Sequence, residues 1–332
     1  MRAVVLVGGF GTRLQPLTHA TPKPMLPVGH RPMLARLVDR LGAGGVTEVV
    51  LALGFRPEPF VEAFPDGRIG DVRLVYAVEP EPLDTAGAIR FAADAVGMDD
   101  TFVVANGDVM TDLSLHRLLD VHRDRGAAAT IHLVGVDDPA GFGVVDLSDD
   151  LAVRAFVEKP APGSEPSDLV NAGTYVFEPS VLDLIEPGRR VSIERDTFPR
   201  LVAAGSIFGV PTDDYWIDAG RPDLYRAANL DLLDRTRPGG ACHAVADSAV
   251  VDPDATVDDS IVGDGARVGA RAVVRRSVLL PGAEVGPDAR VTASLVAGTV
   301  GAGAVVTDAV VGGEGRVPPG DTVESTTVPP VE

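Results

Sequence analysis

The chain opens on Arg2 to Val7, a run that is apolar after its first residue and then breaks into glycine. A short, unbroken apolar run bounded by turn residues is the pattern of a strand buried on both faces. Similar runs recur at Thr47 to Leu53, Val72 to Val78, Thr101 to Ala105 and Ala128 to Val136. Between them the apolar positions fall three and four apart. Met33, Leu34, Leu37, Val38 and Leu41 give one face of a helix over Pro32 to Ala43, with Pro32 in its first turn and Gly42, Gly44 and Gly45 ending it. Further helices are predicted near Pro57 to Phe64, Ala86 to Val96 and Leu113 to Arg125. Strands alternating with helices predict an α/β domain whose mostly parallel sheet is covered by helices on both faces.

After Gly141 the pattern changes. Gly143 to Val145, Val153 to Glu158 and Val170 to Phe177 read as strands of a second half laid over the sheet. A helix over Ser192 to Ala204, a strand over Ser206 to Val210 and a helix over Pro222 to Asp234 follow. Beyond a linker at 236–244, one aliphatic residue recurs every six: Val262, Val268, Val274, Leu280, then Val285 and Val291, then Val300 and Val306. Glycine follows several of them. This hexapeptide period predicts a parallel β-helix, each aliphatic side chain pointing inward at a corner. The slips after Leu280 and around Val296 are read as imperfect turns. The expected division is a first domain over 1–235, the repeat over 245–317 and a fraying Pro/Thr/Val-rich tail over 318–332.

The loop after the first strand carries the strongest chemical signal: Gly8-Gly9-Phe10-Gly11-Thr12-Arg13-Leu14, then Pro22-Lys23-Pro24-Met25. Glycines let backbone N–H groups approach an anion, Thr12 adds a hydroxyl, and Arg13 a planar fork suited to phosphate. Two prolines stiffen the backbone that presents Lys23. Neither a Walker loop nor the dinucleotide fingerprint fits, since Gly-Thr-Arg replaces Gly-Lys-Ser/Thr and Leu14 replaces a third glycine.

Composition sharpens this reading. The formal net charge is −19, which argues against nucleic-acid or anionic-membrane surfaces, so a phosphate ligand needs a few local cations. Lysine occurs only twice, at Lys23 and Lys159, both before proline. A single cysteine, Cys242, excludes an intramolecular disulfide framework and fits a reducing cytoplasm. The first apolar run is too short for a signal peptide or a membrane span. Three aspartates stand where each of two roles is open. Asp84 caps the helix after it or touches a ligand. Asp108, after Gly107 at a strand's carboxyl end, holds a hard cation or satisfies a turn. Asp218 holds the same cation or caps the helix at Pro222. Glu158 beside Lys159 is a surface ion pair or part of a site.

The constellation resembles the sugar-1-phosphate nucleotidyltransferases. The likeness rests on Val7 to Leu14, Pro22 to Met25, Asn106-Gly107-Asp108-Val109, Phe142 to Val145, Glu158-Lys159-Pro160, Asn171-Ala172-Gly173 and Trp216 to Gly220, in that order. The Val-Gly-Gly-Phe-Gly-Thr-Arg opening and the hexapeptides look most like the mannose-1-phosphate guanylyltransferases. The resemblance implies a Rossmann-like nucleotide-diphospho-sugar transferase fold followed by a left-handed parallel β-helix. It implies in-line attack of a sugar 1-phosphate on the α-phosphorus of a nucleoside triphosphate, with mannose and GTP expected, and glucose or a heptose phosphate as competitors. By this likeness Leu6, Gly8, Gly9, Gly11, Thr12, Glu79 and Asp84 hold the nucleotide, while Arg13 and Lys23 neutralise the triphosphate. Lys159, Glu158, Asn171 and the Gly143 backbone hold the sugar phosphate, and Asp108 and Asp218 share Mg²⁺. Asp84 departs from the family's glycine, which leaves the base open. Two rivals stand beside this reading. Hexapeptide acyltransferases need a histidine base, and all six histidines lie at or before His243. A non-catalytic regulatory subunit would be expected to lose phosphate or metal ligands, and these are present. The repeat is expected to support a homo-oligomer.

Overall fold

The computed structural model describes residues 1–9, 11–54, 57–234 and 242–331. They form two compact units: Met1–Gly9 with Leu34–Trp216, and Phe10–Met33 with Ile217–Glu332. The expected linker at 236–244 falls mostly outside the described residues.

The first unit is built on one ten-stranded sheet. Its strands are β1 (Arg2–Leu6), β2 (Glu48–Leu53), β3 (Arg68–Ile69), β4 (Val72–Val78), β5 (Phe102–Asn106), β6 (Ala129–Gly135), β7 (Gly143–Leu147), β8 (Val153–Glu158), β9 (Leu169–Phe177) and β10 (Ile207–Thr212). The main path runs β8-β7-β9-β5-β1-β2-β4-β3, with β6 joined to β9 and β10. The centre is parallel: β1 pairs β2 and β5, and β2 pairs β4. The second half is largely antiparallel, since β9 runs against β5, β6 and β7, and β7 against β8. β2 is buried at every residue after Glu48, as expected of a parallel strand covered on both faces.

Helices α1 (Met33–Ala43), α2 (Glu58–Ala63), α3 (Asp84–Val96), α4 (Leu115–Arg125) and α5 (Phe198–Ala203) connect the strands. The core joins Val4, Val50, Ala52 and Val104 to an aromatic group from β5, β9 and α5. There Tyr175 stacks on Phe177 at 5.6 Å and meets Phe198 edge-on at 5.3 Å. The helix expected over Ser192 to Ala204 begins instead as a π-helical turn, Ile193–Thr197, before α5. Pro199 has no N–H to give Arg195, which suits a wider turn at that point.

The second unit contains the segment after β1, helix α6 (Pro222–Leu230) and the repeat. The segment joins this unit through specific bonds. The Tyr225 hydroxyl donates to the Pro27 carbonyl, the Asn229 side-chain oxygen accepts from the Gly29 N–H at 2.8 Å, and His30 Nε2 donates to the His243 carbonyl at 2.7 Å.

The repeat folds into three five-stranded parallel sheets. The hexapeptide slips are systematic. Val262 pairs Leu279, Leu279 pairs Val296, Val296 pairs Val311 and Val311 pairs Val328, so coils advance by 17 residues except for one of 15. The in-register leucine is therefore Leu279, whereas the six-residue period pointed to Leu280. Each coil has one side five residues long, from Val274 to Leu279 and from Val291 to Val296. Three buried serines stack on that side. Ser260 accepts from the Ser277 N–H, Ser277 from the Ser294 N–H and Ser294 from the Ala309 N–H, each at 3.1 Å. Each serine hydroxyl also donates to the carbonyl two residues before it, so every hydroxyl of this internal ladder both donates and accepts. Strands Thr322–Glu324 and Thr327–Val328 continue the sheets, so the stretch expected to fray carries ladder bonds. Among the described residues no helix is long and apolar enough to cross a membrane.

His132 is fully buried on β6, with Nε2 2.8 Å from the Thr212 hydroxyl. Burial, helped by Arg117, lowers its pKa from 6.5 to about 4. The unfolded chain therefore binds a proton in a window where the folded chain does not. Stability should be full above pH 6.5 and fall as pH drops from 6.5 towards about 4. Urea midpoints measured across that window should decline more steeply for the native chain than for His132→Leu.

Candidate active site

The carboxyl ends of β1, β2 and β4 meet through residues that leave no room for side chains. A Cβ on Gly8 would lie 3.2 Å from the Gly54 nitrogen, and one on Gly54 would lie 3.2 Å from the Gly8 carbonyl oxygen. Leu6 ends β1, and its carbonyl accepts the Gly107 N–H at 2.9 Å. A Cβ on Gly9 would meet nothing within 4 Å, so this backbone stands open. Glu79 is buried, and its Oε2 accepts the Leu83 N–H at 2.9 Å. Burial raises its pKa, and that hydrogen bond opposes the rise. Glu79 therefore fixes the turn between β4 and α3.

The turn ends unlike the expected cap. The residue before α3 is Leu83, and no side chain caps the helix. Asp84 is the first helical residue with φ at +60°, a left-handed conformation that glycine adopts without strain. Its Oδ1 accepts the Thr85 N–H at 2.8 Å, and its Oδ2 lies 3.8 Å from Arg190 Nε. Thr85 instead ties two distant segments: its hydroxyl donates to Glu194 Oε2 at 2.9 Å and accepts from the Ile193 N–H at 2.8 Å. Ser192 donates to the same Glu194 oxygen. Sequence reasoning missed Glu194. Its one signal is the acid two residues after a serine, which is common.

Asp108 follows Gly107 on the far side of β1. A Cβ on Gly107 would lie 2.7 Å from Val7 Cγ1 and 2.8 Å from the Leu6 carbonyl oxygen, so glycine lets the Asp108 backbone lie against the β1 end. Gly173, at φ +76°, would place a Cβ 2.7 Å from Asn106 Nδ2. Asn171 shapes that loop: its Oδ1 accepts the Gly173 N–H at 3.0 Å and its Nδ2 donates to the Tyr175 hydroxyl at 2.9 Å. Burial, reinforced by Glu194, pushes the Tyr175 pKa up, so the hydroxyl stays protonated. Trp216 Nε1 donates to the Ala172 carbonyl at 2.9 Å, and its ring meets Phe142 edge-on. Gly143 pairs Glu158 across β7 and β8, where a Cβ would come within 3.0 Å of Glu158 Oε2 and 2.5 Å of Phe156. Glu158 Oε1 is 3.4 Å from Lys159 Nζ, and Lys159 has φ +49° with a largely exposed side chain. The first unit thus gathers Leu6, Gly8, Gly9, Glu79 and Asp108 at the sheet's strand ends, with Asp84 opening α3. It gathers Gly143, Glu158 and Lys159 on the β7–β8 pair, and Asn171 on β9.

The second unit gathers the remaining groups around one carboxylate. Asp218 Oδ1 lies 3.5 Å from Lys23 Nζ, and Asp218 Oδ2 lies 4.0 Å from an Arg13 guanidinium nitrogen. Lys23 is buried, while Arg13 is 64% exposed at its side chain. Arg13 is thus presented outward and Lys23 held inward. Asp218 does not cap α6, whose N-cap is Arg221. Gly11 sits at φ +61° with a Cβ position 3.2 Å from Lys23 Cβ, and the Thr18 hydroxyl donates to its carbonyl at 2.8 Å. Thr12 and Arg13 lie in the 3₁₀ turn that follows, Thr12–Leu14. Gly220 closes the Trp216 to Gly220 motif, and its position is specific. A Cβ there would lie 2.8 Å from Arg13, 2.8 Å from Asp218 Oδ1 and 3.0 Å from Lys23 Nζ.

Each unit supplies one metal-competent carboxylate, Asp108 and Asp218. Among the described residues no cluster of three or more His, Cys, Asp or Glu side chains forms. A hard divalent cation that keeps most of its water and takes phosphate oxygens needs only one or two protein carboxylates.

The model of the nucleotidyl transferase family matches residues 2–235, and that of the GlmU-like C-terminal hexapeptide matches residues 228–327. The mannose-1-phosphate guanylyltransferase of Mycobacterium tuberculosis is 41% identical over 276 residues, covering 80% of this chain and 76% of the relative. Two solved structures match in fold. HddC from Yersinia pseudotuberculosis complexed with GMP-PN has a TM-score of 0.59 and 29% identity, covering 69% of this chain and 98% of its own. A putative glucose-1-phosphate thymidylyltransferase from Bacillus anthracis has a TM-score of 0.64 and 27% identity, covering 70% and 96%.

Gly220 has no positive φ, so alanine suits its backbone conformation and the added methyl meets the three charged groups first. Gly220→Ala should weaken binding of inorganic tripolyphosphate about tenfold, or ~1.4 kcal/mol. Titration calorimetry measures this, and the thermal midpoint should stay within about 2 °C of the native value.

Proposed function

Because the chain belongs to the nucleotidyl transferase family, we propose that it carries a guanylyl group from GTP to mannose 1-phosphate, giving GDP-mannose and pyrophosphate. The observation that carries this reading is the Asp218 constellation. A chain of net charge −19 with two lysines buries one of them beside an arginine and the Asp218 carboxylate. Such an arrangement suits a polyphosphate, whose charge Lys23 and Arg13 meet from fixed positions. The 41% identity to a mannose-1-phosphate guanylyltransferase supports the sugar and the base.

In this reading an oxygen of the sugar phosphate attacks the α-phosphorus in line, the new P–O bond forms, and the bond to pyrophosphate breaks. The attacking phosphate is already an anion, so no side chain need take its proton. The protein supplies alignment and neutralisation instead. Leu6, Gly8, Gly9, Gly11 and Thr12 carry the nucleotide through backbone and hydroxyl groups. Glu79 holds the turn that leads to Asp84. Lys159 meets the sugar phosphate, and Glu158, Asn171 and the Gly143 backbone meet the sugar hydroxyls. Asp108 and Asp218 would hold the divalent cation, taken here as Mg²⁺, which when bound neutralises charge on phosphate oxygens. The enzyme is read as cytoplasmic and as a homo-oligomer, for which light scattering on the full chain is the check.

The decisive experiment is a matrix of nucleoside triphosphates against sugar 1-phosphates, scored by pyrophosphate release. GTP with mannose 1-phosphate should be the best pair, and a higher rate with dTTP and glucose 1-phosphate would overturn the assignment. Asp108→Asn should lower turnover by about 10²–10³ or more while the thermal midpoint holds. Asp84→Asn keeps an acceptor for the Thr85 N–H but loses the carboxylate. It should lower the preference for GTP over ATP by about tenfold, as expected if Asp84 accepts from the guanine N1–H and 2-amino group.

A further inference from the structure

Gly312 lies in the repeat, remote in sequence from every residue given a role above. Its N–H donates to the Val328 carbonyl at 2.8 Å and its carbonyl accepts the Gly315 N–H at 2.8 Å, so its backbone belongs to the rigid coil. Its φ is not positive, so backbone conformation does not demand glycine. A neighbour demands it instead. A Cβ on Gly312 would lie 2.7 Å from Pro16 Cγ and 2.8 Å from Pro16 Cβ, and the next heavy atom is Pro16 carbon at 3.5 Å. Pro16 is buried, three residues after Arg13. The intervening chain is tightly wound: Leu14 N–H donates to Gly11, Gln15 to Thr12, Leu17 to Leu14 and His19 to Pro16. A displacement of the Pro16 ring therefore passes directly to the turn that presents Arg13.

The adjoining wall is open. A cavity of about 440 Å³ lies beside this contact, lined by His19, Thr21 and Met25 on the loop side and by Leu280, Ala297 and Glu314 on the repeat side. The Pro16–Gly312 contact is thus a close point of approach between the loop and the repeat, beside open space.

We propose that Gly312 is a positioning residue: the repeat seats Pro16 and thereby sets the Arg13 guanidinium for the nucleoside triphosphate. This gives the repeat a task in the reaction itself, beyond assembly, and it rests on the reading of the site as a nucleotidyltransferase centre. The effect is specific to one substrate, because Lys159, Glu158 and Asn171 belong to the other unit and are not carried on this loop.

The test is steady-state kinetics on the full chain with Gly312→Ala, Pro16→Gly, the double variant and Gly313→Ala. Gly313 also lines the cavity, but a Cβ there meets nothing within 4 Å, so it serves as the control. Gly312→Ala should raise the KM for the nucleoside triphosphate about tenfold and leave the KM for the sugar phosphate unchanged. The double variant should lose no more than the poorer of the two single variants, because both substitutions act through the same contact. Gly313→Ala should behave as the native chain. Native kinetics in Gly312→Ala, equal loss for both substrates, or losses that add in the double variant would overturn the proposal. Should Gly312→Ala fail to fold, Pro16→Gly decides alone, and native kinetics there would also overturn it. An inactive native chain would instead sink the functional reading, so the two failures are distinguishable.

Discussion

The Asp218 carboxylate faces an ammonium and a guanidinium at once. Gly220 leaves room for these three charged groups, since a Cβ there would lie within 3.0 Å of each. Like charges on Lys23 and Arg13 would repel without the carboxylate between them, and Lys23 is too buried for water to screen it well. The ion triad therefore makes a standing patch of positive charge on a strongly acidic protein. A polyphosphate meets preorganised cations and need not gather them from solvent.

Two segments carry that triad, the loop after β1 with Arg13 and Lys23 and the stretch before α6 with Asp218. The loop that carries Arg13 and Lys23 leaves β1 but is bonded to helix α6 at Pro27 and Gly29, and it rests on the coil at Gly312. This is why compactness divides the chain at Gly9 and Trp216, where the order of motifs suggested one boundary near Arg235. The first domain of the sequence reading is a stretch of chain, whereas the packed unit is a set of contacts.

The repeat shows the same contrast at smaller scale. A six-residue period is legible because each inward aliphatic must return to the same corner. The five-residue side was not legible, because serine at its corner bonds to the carbonyl two residues back and to the next coil's N–H. A polar residue in a core position looks like an interruption until its partners are seen. Leu279 and Leu280 are both buried, so hydrophobicity could not choose between them, and only the ladder register does.

The amino-acid sequence alone determined the alternation of strands and helices, the coiled repeat and the loop chemistry, since each is a local pattern of burial, glycine or charge. It could not determine what Asp84 does, because a left-handed φ and an Arg190 neighbour depend on where α3 is forced to start. Nor could it find Glu194 or Gly312, or say what Gly220 makes room for, since each turns on a distance to residues far away in the chain. Periodicity encodes which face of an element is buried. Which atoms then stand within 3 Å of one another follows only from packing, where a single methyl decides whether two segments can meet.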